Sequence, residues 1–158
     1  MEFYTADLCD EHKEKVQVFD NIFKSYGKTS KCFGEIVTLK LDEQNAALIA
    51  LLKTEGKGRV AVVDVNSKYF AVVGENLMKY ALENNWAGIV INGYVRDIEQ
   101  TSTIDVALYA LGTCPRKSFK ESIYQEDISL EFAGARINAG EYLYADLDGI
   151  ITSKSKLF

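Results

Sequence analysis

The sequence has one histidine, one proline and three cysteines among 158 residues. Each scarcity removes a class of chemistry. A single histidine, His12, excludes His-rich metal sites and any mechanism built on two histidines. It lies between Glu11 and Lys13 in a polar stretch, where a solvated helix histidine is expected rather than a catalytic base. Cys9, Cys32 and Cys114 are far apart and none sits in a CxxC pair, so free thiols packed as small hydrophobes are expected and a structural zinc site is not. No apolar run is long enough to span a bilayer. The opening stretch, MEFYTADLCDEHKEK, has neither the basic start nor the apolar middle of a signal peptide, which makes the cytoplasm the expected location. Basic charge is the minority: 18 Lys and Arg stand against 23 Asp and Glu, a net charge of −5. That argues against direct nucleic-acid binding, because phosphate contacts need a basic face. Arg116, Lys117 and Lys120 form the best basic cluster and read as a solvated loop. Gly56 and Gly58 flank Lys57 ahead of a strand, with no third glycine opening a helix; this is a turn, not a nucleotide-binding fingerprint.

What is present is the composition of a globular protein, 47% hydrophobic and 26% charged, long enough to bury a sizeable core. Residues 1–158 read as one domain, since no long linker, repeat or low-complexity tract interrupts them. Thr5 and Asp7 mark a helix start carrying Leu8, and Val16, Phe19, Ile22 and Phe23 continue an apolar rhythm of threes and fours. The alternating, β-branched stretch 32–40 predicts a strand. Asp42 is placed to cap a helix over 43–53 with Ala47, Leu48, Leu51 and Leu52 inward. Strands are predicted at 59–64 and 69–73, and at 104–114 up to Pro115. Short strands at 129–132, 135–137, 142–144 and 149–152 follow, separated by turn residues. The pattern is an α/β domain with its helices in the first two-thirds and a β-rich C-terminal part.

Residues 74–97, GENLMKYALENNWAGIVINGYVRD, join a loop, a helix, a strand and a second loop. Gly74, Glu75 and Asn76 form a helix N-terminus, Leu77, Met78, Ala81 and Leu82 share a helical face, and Asn84 and Asn85 leave it. The apolar run 88–92 predicts a buried strand, after which Gly93, Tyr94 and Val95 lead to Arg96 and Asp97. The two ends carry opposite chemistry. A helix start offers free N–H groups that favour an anion. The strand end offers a guanidinium beside a carboxylate. If βαβ packing turns both ends toward one pocket, that pocket suits a small acid and a divalent metal. Taken alone, an Arg-Asp pair at a strand end is more often a surface ion pair, and a first-turn glutamate simply complements the helix dipole.

Four stretches, TADLCDEHKEKVQVFDNIFKSYG, GKGRVAVVD, ENNWAGIVINGYVRDIE and AGEYLYADLDGIITS, together resemble the RraA family, the regulators of ribonuclease E activity, and the similarity runs over essentially the whole chain. That family is related to class II, metal-dependent 4-hydroxy-4-methyl-2-oxoglutarate aldolases. The resemblance implies a swivelling β/β/α domain assembled as a homotrimer, with sites at subunit interfaces. The aldolase relatives share an acidic residue, twenty intervening residues and then Arg-Asp. Here Glu75 follows Gly74, and twenty residues separate it from Arg96 and Asp97. By resemblance, the backbone of Gly74, Glu75, Asn76 and Leu77 lines the loop for the substrate carboxylate, Arg96 contacts the substrate, and Asp97 holds the metal, Mg²⁺ or Mn²⁺. The aldolases usually carry aspartate at the Glu75 position, and the loop 65–68 lacks the glycines frequent in RraA proteins. The chain is also expected to be shorter than typical aldolases of this class, without their specificity-setting extensions.

The implied chemistry suits these residue types. A 2-keto acid presents a carboxylate and a keto oxygen that chelate Mg²⁺, which keeps several waters and needs only one protein carboxylate. Arg96 offers a planar fork for a carboxylate or an enolate oxygen. Cleaving a C–C bond of a 4-hydroxy-2-keto acid leaves pyruvate enolate, whose charge the metal and Arg96 stabilise. Oxaloacetate loses CO₂ through the same enolate, so its decarboxylation is the expected second activity. The 4-hydroxyl proton is assigned to a water on the metal, ordered by Glu75. The alternative is a non-catalytic protein that inhibits ribonuclease E by binding it or its degradosome partners; an acidic chain is compatible with docking onto basic protein segments.

Overall fold

Strands covered on both faces read as unbroken apolar runs, and two such runs form the centre of the protein. The computed structural model describes residues 2–158. Along the chain come α1 (Thr5–His12), β1 (Val16–Val18), β2 (Lys24–Ser25), β3 (Cys32–Leu41), α2 (Ala46–Leu52), β4 (Val60–Asp64), β5 (Ala71–Val73), α3 (Glu75–Glu83), β6 (Gly88–Val95), α4 (Ile98–Thr101) and β7 (Ala107–Thr113). The β-rich end follows: β8 (Tyr124–Glu126), β9 (Leu130–Phe132), β10 (Ala135–Ile137), β11 (Tyr142–Asp146) and β12 (Gly149–Ser153). The main sheet has the order β1-β12-β11-β3-β4-β6-β7-β2, with β5 on β6 and β8 on β3.

β3 is the seam of this mixed sheet. Its early residues pair antiparallel with β11, Glu35 opposite Tyr142, and its later ones pair parallel with β4, Ile36 opposite Val60. Parallel neighbours need crossovers, which α2 supplies between β3 and β4 and α3 between β5 and β6. The pleat then sends alternate side chains into two cores. Ala61, Val63, Ile89 and Ile91 meet Leu48, Leu52 and Met78 from the helices. Val60, Val62 and Val90 meet Leu130, Phe132 and Ile137 from the β9–β10 hairpin. Burying each such leucine or methionine contributes about 2 kcal/mol. A third cluster, Phe3, Leu8, Tyr144 and Ile151, fastens α1 to the antiparallel half.

The α/β class and the β-rich C-terminal part are as predicted; three local details differ. Residues 16–23 do not continue α1. Val16, Gln17 and Val18 pair with Ser153, Thr152 and Ile151, and Phe19 and Phe23 pack on Phe132. A short stretch of this kind satisfies helical and extended spacing alike, and the free edge of β12 decides between them. Asn45, not Asp42, precedes α2, because Asp42 is ion-paired with Lys68 across the loop. β6 runs on through Gly93 to Val95, because β5 and β7 keep supplying partners: Tyr94 lies opposite Ala71 and Val95 opposite Thr113. Among the described residues no helix is long and apolar enough to cross a membrane. The cysteines are free, and burial pushes the Cys32 thiol up to about 12, which makes it an inert core thiol.

Candidate functional site

Gly74 begins α3 without a side chain to cap it, and a helix start leaves its first N–H groups without partners. The cap comes from 22 residues downstream: the Glu75 N–H donates to Asp97 Oδ2 at 2.9 Å. The glycine is required for space. Its φ of −142° is ordinary extended backbone, but a Cβ there would lie 2.4 Å from Asp97 Oδ2 and 3.4 Å from Arg96 Cγ. The first bond inside the helix runs from the Met78 N–H to the Gly74 carbonyl at 3.2 Å. The N–H groups of Asn76 and Leu77 therefore remain as donors at the positive end of the helix dipole.

β6 delivers the other half. Val95 is buried, and the Arg96 N–H donates to the Val73 carbonyl at 2.9 Å, which continues the β5–β6 pairing. Asp97 then turns left-handed, with φ 62° and ψ 42°, a conformation that costs a non-glycine residue about 1 kcal/mol. Local bonds offset this: the Asp97 carbonyl accepts from the Gln100 and Thr101 N–H groups at 3.0 and 2.8 Å and opens α4. The turn leaves the Asp97 carboxylate exposed, with no protein donor on Oδ1 among the described residues. Arg96 is half-buried, and its Nη1 donates to the Pro115 carbonyl at 3.3 Å.

These groups border one cavity of about 130 Å³. All six residues singled out from the sequence line it: Gly74, Glu75, Asn76, Leu77, Arg96 and Asp97. Leu77 sends its side chain into the core and contributes backbone. The Glu75 carboxylate pairs with Lys79 at 3.0 Å, one turn along α3. Seven further residues line the cavity, and two of them, Asn45 and Lys117, are polar groups that sequence reasoning did not place there. Asn45 donates from Nδ2 to the Val72 carbonyl at 2.8 Å. Lys117 enters from the segment after Pro115, held there because the Ala71 N–H donates to the Arg116 carbonyl at 2.7 Å and Lys117 bridges to Ala71. No local signal places either residue at the cavity, since both are brought in by pairing with β5, and Lys117 stands out in the sequence only within a basic cluster that reads as a solvated loop.

Among the described residues no three His, Cys, Asp or Glu side chains come together to cage an ion. A single carboxylate with an open oxygen, facing a cavity, fits instead a hard cation that keeps most of its waters, as Mg²⁺ and Mn²⁺ do. His12 stands in the last turn of α1, 3.9 Å from Glu11, and does not line the cavity. A wider cleft of about 850 Å³ runs along β1, β10 and β12. There Gln17 is fully engaged with the Arg136 backbone, Nε2 to the carbonyl and N–H to Oε1, both at 2.9 Å. In the smaller cavity Asp97 Oδ1 has no protein donor among the described residues.

Known proteins share this chain throughout. A family model described as RraA-like, Aldolase/RraA, matches residues 5–152. A protein of Aromatoleum aromaticum named "Putative 4-hydroxy-4-methyl-2-oxoglutarate aldolase" is 39% identical over 158 residues, 99% of each chain. The chain thus spans the length of an aldolase-named relative, and the shortening expected from the sequence is not found against it. The crystal structure of S-adenosylmethionine: 2-dimethylmenaquinone methyltransferase from Geobacillus kaustophilus superposes with a TM-score of 0.94 at 38% identity, over 98% of this chain and 97% of that one. The RNA-processing inhibitor RraA from Thermus thermophilis gives a TM-score of 0.94 at 36% identity, over 100% of this chain and 96% of that one.

Proposed function

This chain belongs to the RraA-like family, and on that premise we propose that it is a divalent-metal-dependent 4-hydroxy-4-methyl-2-oxoglutarate aldolase with a secondary oxaloacetate decarboxylase activity. One observation carries the reading: the open oxygen of Asp97, the Arg96 guanidinium and the free N–H groups of Asn76 and Leu77 converge on one small cavity. Each matches a part of a 2-keto acid. The two N–H groups take the C1 carboxylate. The Arg96 fork meets the keto oxygen, where charge develops as the bond breaks. Asp97 holds the Mg²⁺ or Mn²⁺ ion, which when bound supplies Lewis-acid stabilisation of that charge.

Cleavage of the C3–C4 bond sends its electron pair to C3 and the keto oxygen while the C4 hydroxyl loses its proton. The enolate is then protonated at C3, and the products are two pyruvates. With oxaloacetate the same bond releases CO₂ and no hydroxyl proton has to move. Glu75, held at the rim by Lys79, is assigned the ordering of the water that takes the hydroxyl proton. A cavity of about 130 Å³ suits a small acid and is below the size a nucleoside-bearing methyl donor needs, which separates this reading from the name of the Geobacillus relative. Purified protein with Mg²⁺ or Mn²⁺ is expected to release pyruvate from both substrates, and EDTA to abolish the release. No pyruvate from either substrate overturns the reading.

The same premise carries a homotrimer. Phe119 and Ile123, 81% and 82% exposed on the segment that borders the cavity, are the apolar side chains a subunit interface would cover. A second reading, inhibition of ribonuclease E by binding it or its degradosome partners, is supported by the likeness to the Thermus inhibitor. An unsubstituted protein that releases no pyruvate yet captures and inhibits ribonuclease E would favour that reading.

A further inference from the structure

Arg96 and the start of α3 answer one anionic end of a substrate, and a lysine that the reaction above does not use brings a second cation to the border of the cavity. Lys117 lines it and is half-buried. Two other lysines of this region have partners. Lys120 Nζ lies 3.9 Å from Glu43 Oε2, and Lys68 is paired with Asp42 and Glu43. Lys117 has no carboxylate partner among the described residues. Its Nζ sits 4.9 Å from the centre of the Phe119 ring, a contact on an exposed aromatic that a ligand carboxylate readily replaces.

The backbone around Lys117 is fastened on both sides of the cavity. The Cys114 N–H donates to the Val95 carbonyl of β6 at 3.0 Å, and the Ala71 N–H of β5 donates to the Arg116 carbonyl at 2.7 Å. Arg96 itself holds the Pro115 carbonyl. A flexible lysine is thus delivered from a fixed point to the cavity that Arg96 enters. An ammonium without a carboxylate partner is free to pair with an incoming anion.

We propose that Lys117 binds the distal carboxylate of the substrate and makes the site selective for 2-keto diacids over 2-keto monoacids. The inference rests on the oxoacid reading of this cavity. The charges support it. Glu75 is neutralised by Lys79, and Asp97 is assigned to a divalent cation, so two protein cations, Arg96 and Lys117, remain for the ligand. Two cations suit a dianion. Both proposed substrates carry a second carboxylate, and the two reactions use it differently. In aldol cleavage it leaves intact within the second pyruvate. In decarboxylation it becomes neutral CO₂, so an ion pair to it stabilises the bound substrate and not the transition state.

The test titrates 2-oxoglutarate and 2-oxopentanoate, five-carbon acids that differ in the distal carboxylate, into the Mg²⁺-loaded protein by calorimetry. The unsubstituted protein should bind the diacid about tenfold more tightly. Lys117→Met keeps the stem and removes the charge; it should weaken the diacid about tenfold and leave the monoacid within about twofold. Lys117→Arg should keep most of the preference. With oxaloacetate, Lys117→Met should raise KM without lowering kcat. Equal affinities in the unsubstituted protein, or a diacid preference that survives Lys117→Met, overturn the inference and leave the oxoacid site standing. Equal weakening of both acids by Lys117→Met assigns the lysine to the fold of its segment and overturns the selectivity role. Binding of neither acid overturns site and inference together.

Discussion

Two helices in this protein start against an aspartate from a distant part of the chain, and the two junctions differ in what they leave open. At α1, the Thr5 N–H and hydroxyl donate to Asp146 Oδ2 and Oδ1, both at 2.7 Å, and the Asp148 N–H adds a bond at 2.9 Å. At α3, Asp97 accepts the Glu75 N–H at 2.9 Å. Asp146 is 7% exposed and both its oxygens are filled, whereas Asp97 is exposed and keeps one oxygen free. Both apply one device, a carboxylate on the positive end of a helix. Where the fold fills every acceptor the result is a joint. Where it stops halfway, beside a cavity and an arginine, an acceptor stays open, and that is the group proposed to hold the metal. Residue type does not separate the two; unused hydrogen-bonding capacity does.

The largest expected effect separates the two aspartates directly. Asp97→Ala should lower metal-dependent pyruvate release by about 10³-fold while costing about 1 kcal/mol of stability for the lost cap. Turnover equal to that of the unsubstituted protein would collapse the comparison. Asp146→Ala should do the reverse: a loss of about 3 kcal/mol in urea unfolding, because buried donors lose their acceptor, with turnover per folded molecule retained. Gly74→Ala sharpens the α3 side. Its methyl group needs the space of Asp97 Oδ2, so activity should fall about tenfold with α3 still formed by circular dichroism.

The smallest effect is in acid. Burial pushes the Asp146 carboxyl up, but hydrogen bonds from the Thr5 hydroxyl and N–H and from the Asp148 and Gly149 N–H groups outweigh it and hold it below the usual carboxylate range. A carboxyl lower in the folded than in the unfolded state stabilises the protein above its unfolded value, and that stability drains away as pH falls through the folded value. Asp146→Asn should therefore flatten the loss of stability below about pH 4. An unchanged acid limb would show that Asp146 is not the group that titrates there.

Much of this is legible in the residues before any coordinates. The runs at 60–64 and 88–92 announce buried strands because β-branched residues fill both faces of the pleat. Gly74, Glu75, Arg96 and Asp97 are legible through the resemblance, whose acidic residue and Arg-Asp pair they match, and the crossover between them returns the strand end to the helix start. Residues 16–23 are not legible in this way: their spacing allows either period. Asp42 and Asn45 are equally good cap types, and only Lys68 removes the first from contention.

The sequence by itself determined the class of fold and the order of most elements, because these follow from local periodicity, and its resemblance to the RraA family marked the six residues that border the cavity. The tertiary structure alone decided that Asp97 caps α3, that Asp146 joins α1 to β11, that β1 takes the edge of β12 and that Lys117 enters the cavity from a loop that reads as solvated. Each of these is a contact between segments far apart in the chain. A donor, an acceptor or a free strand edge is visible locally, but which partner satisfies it is settled only when the whole chain has packed.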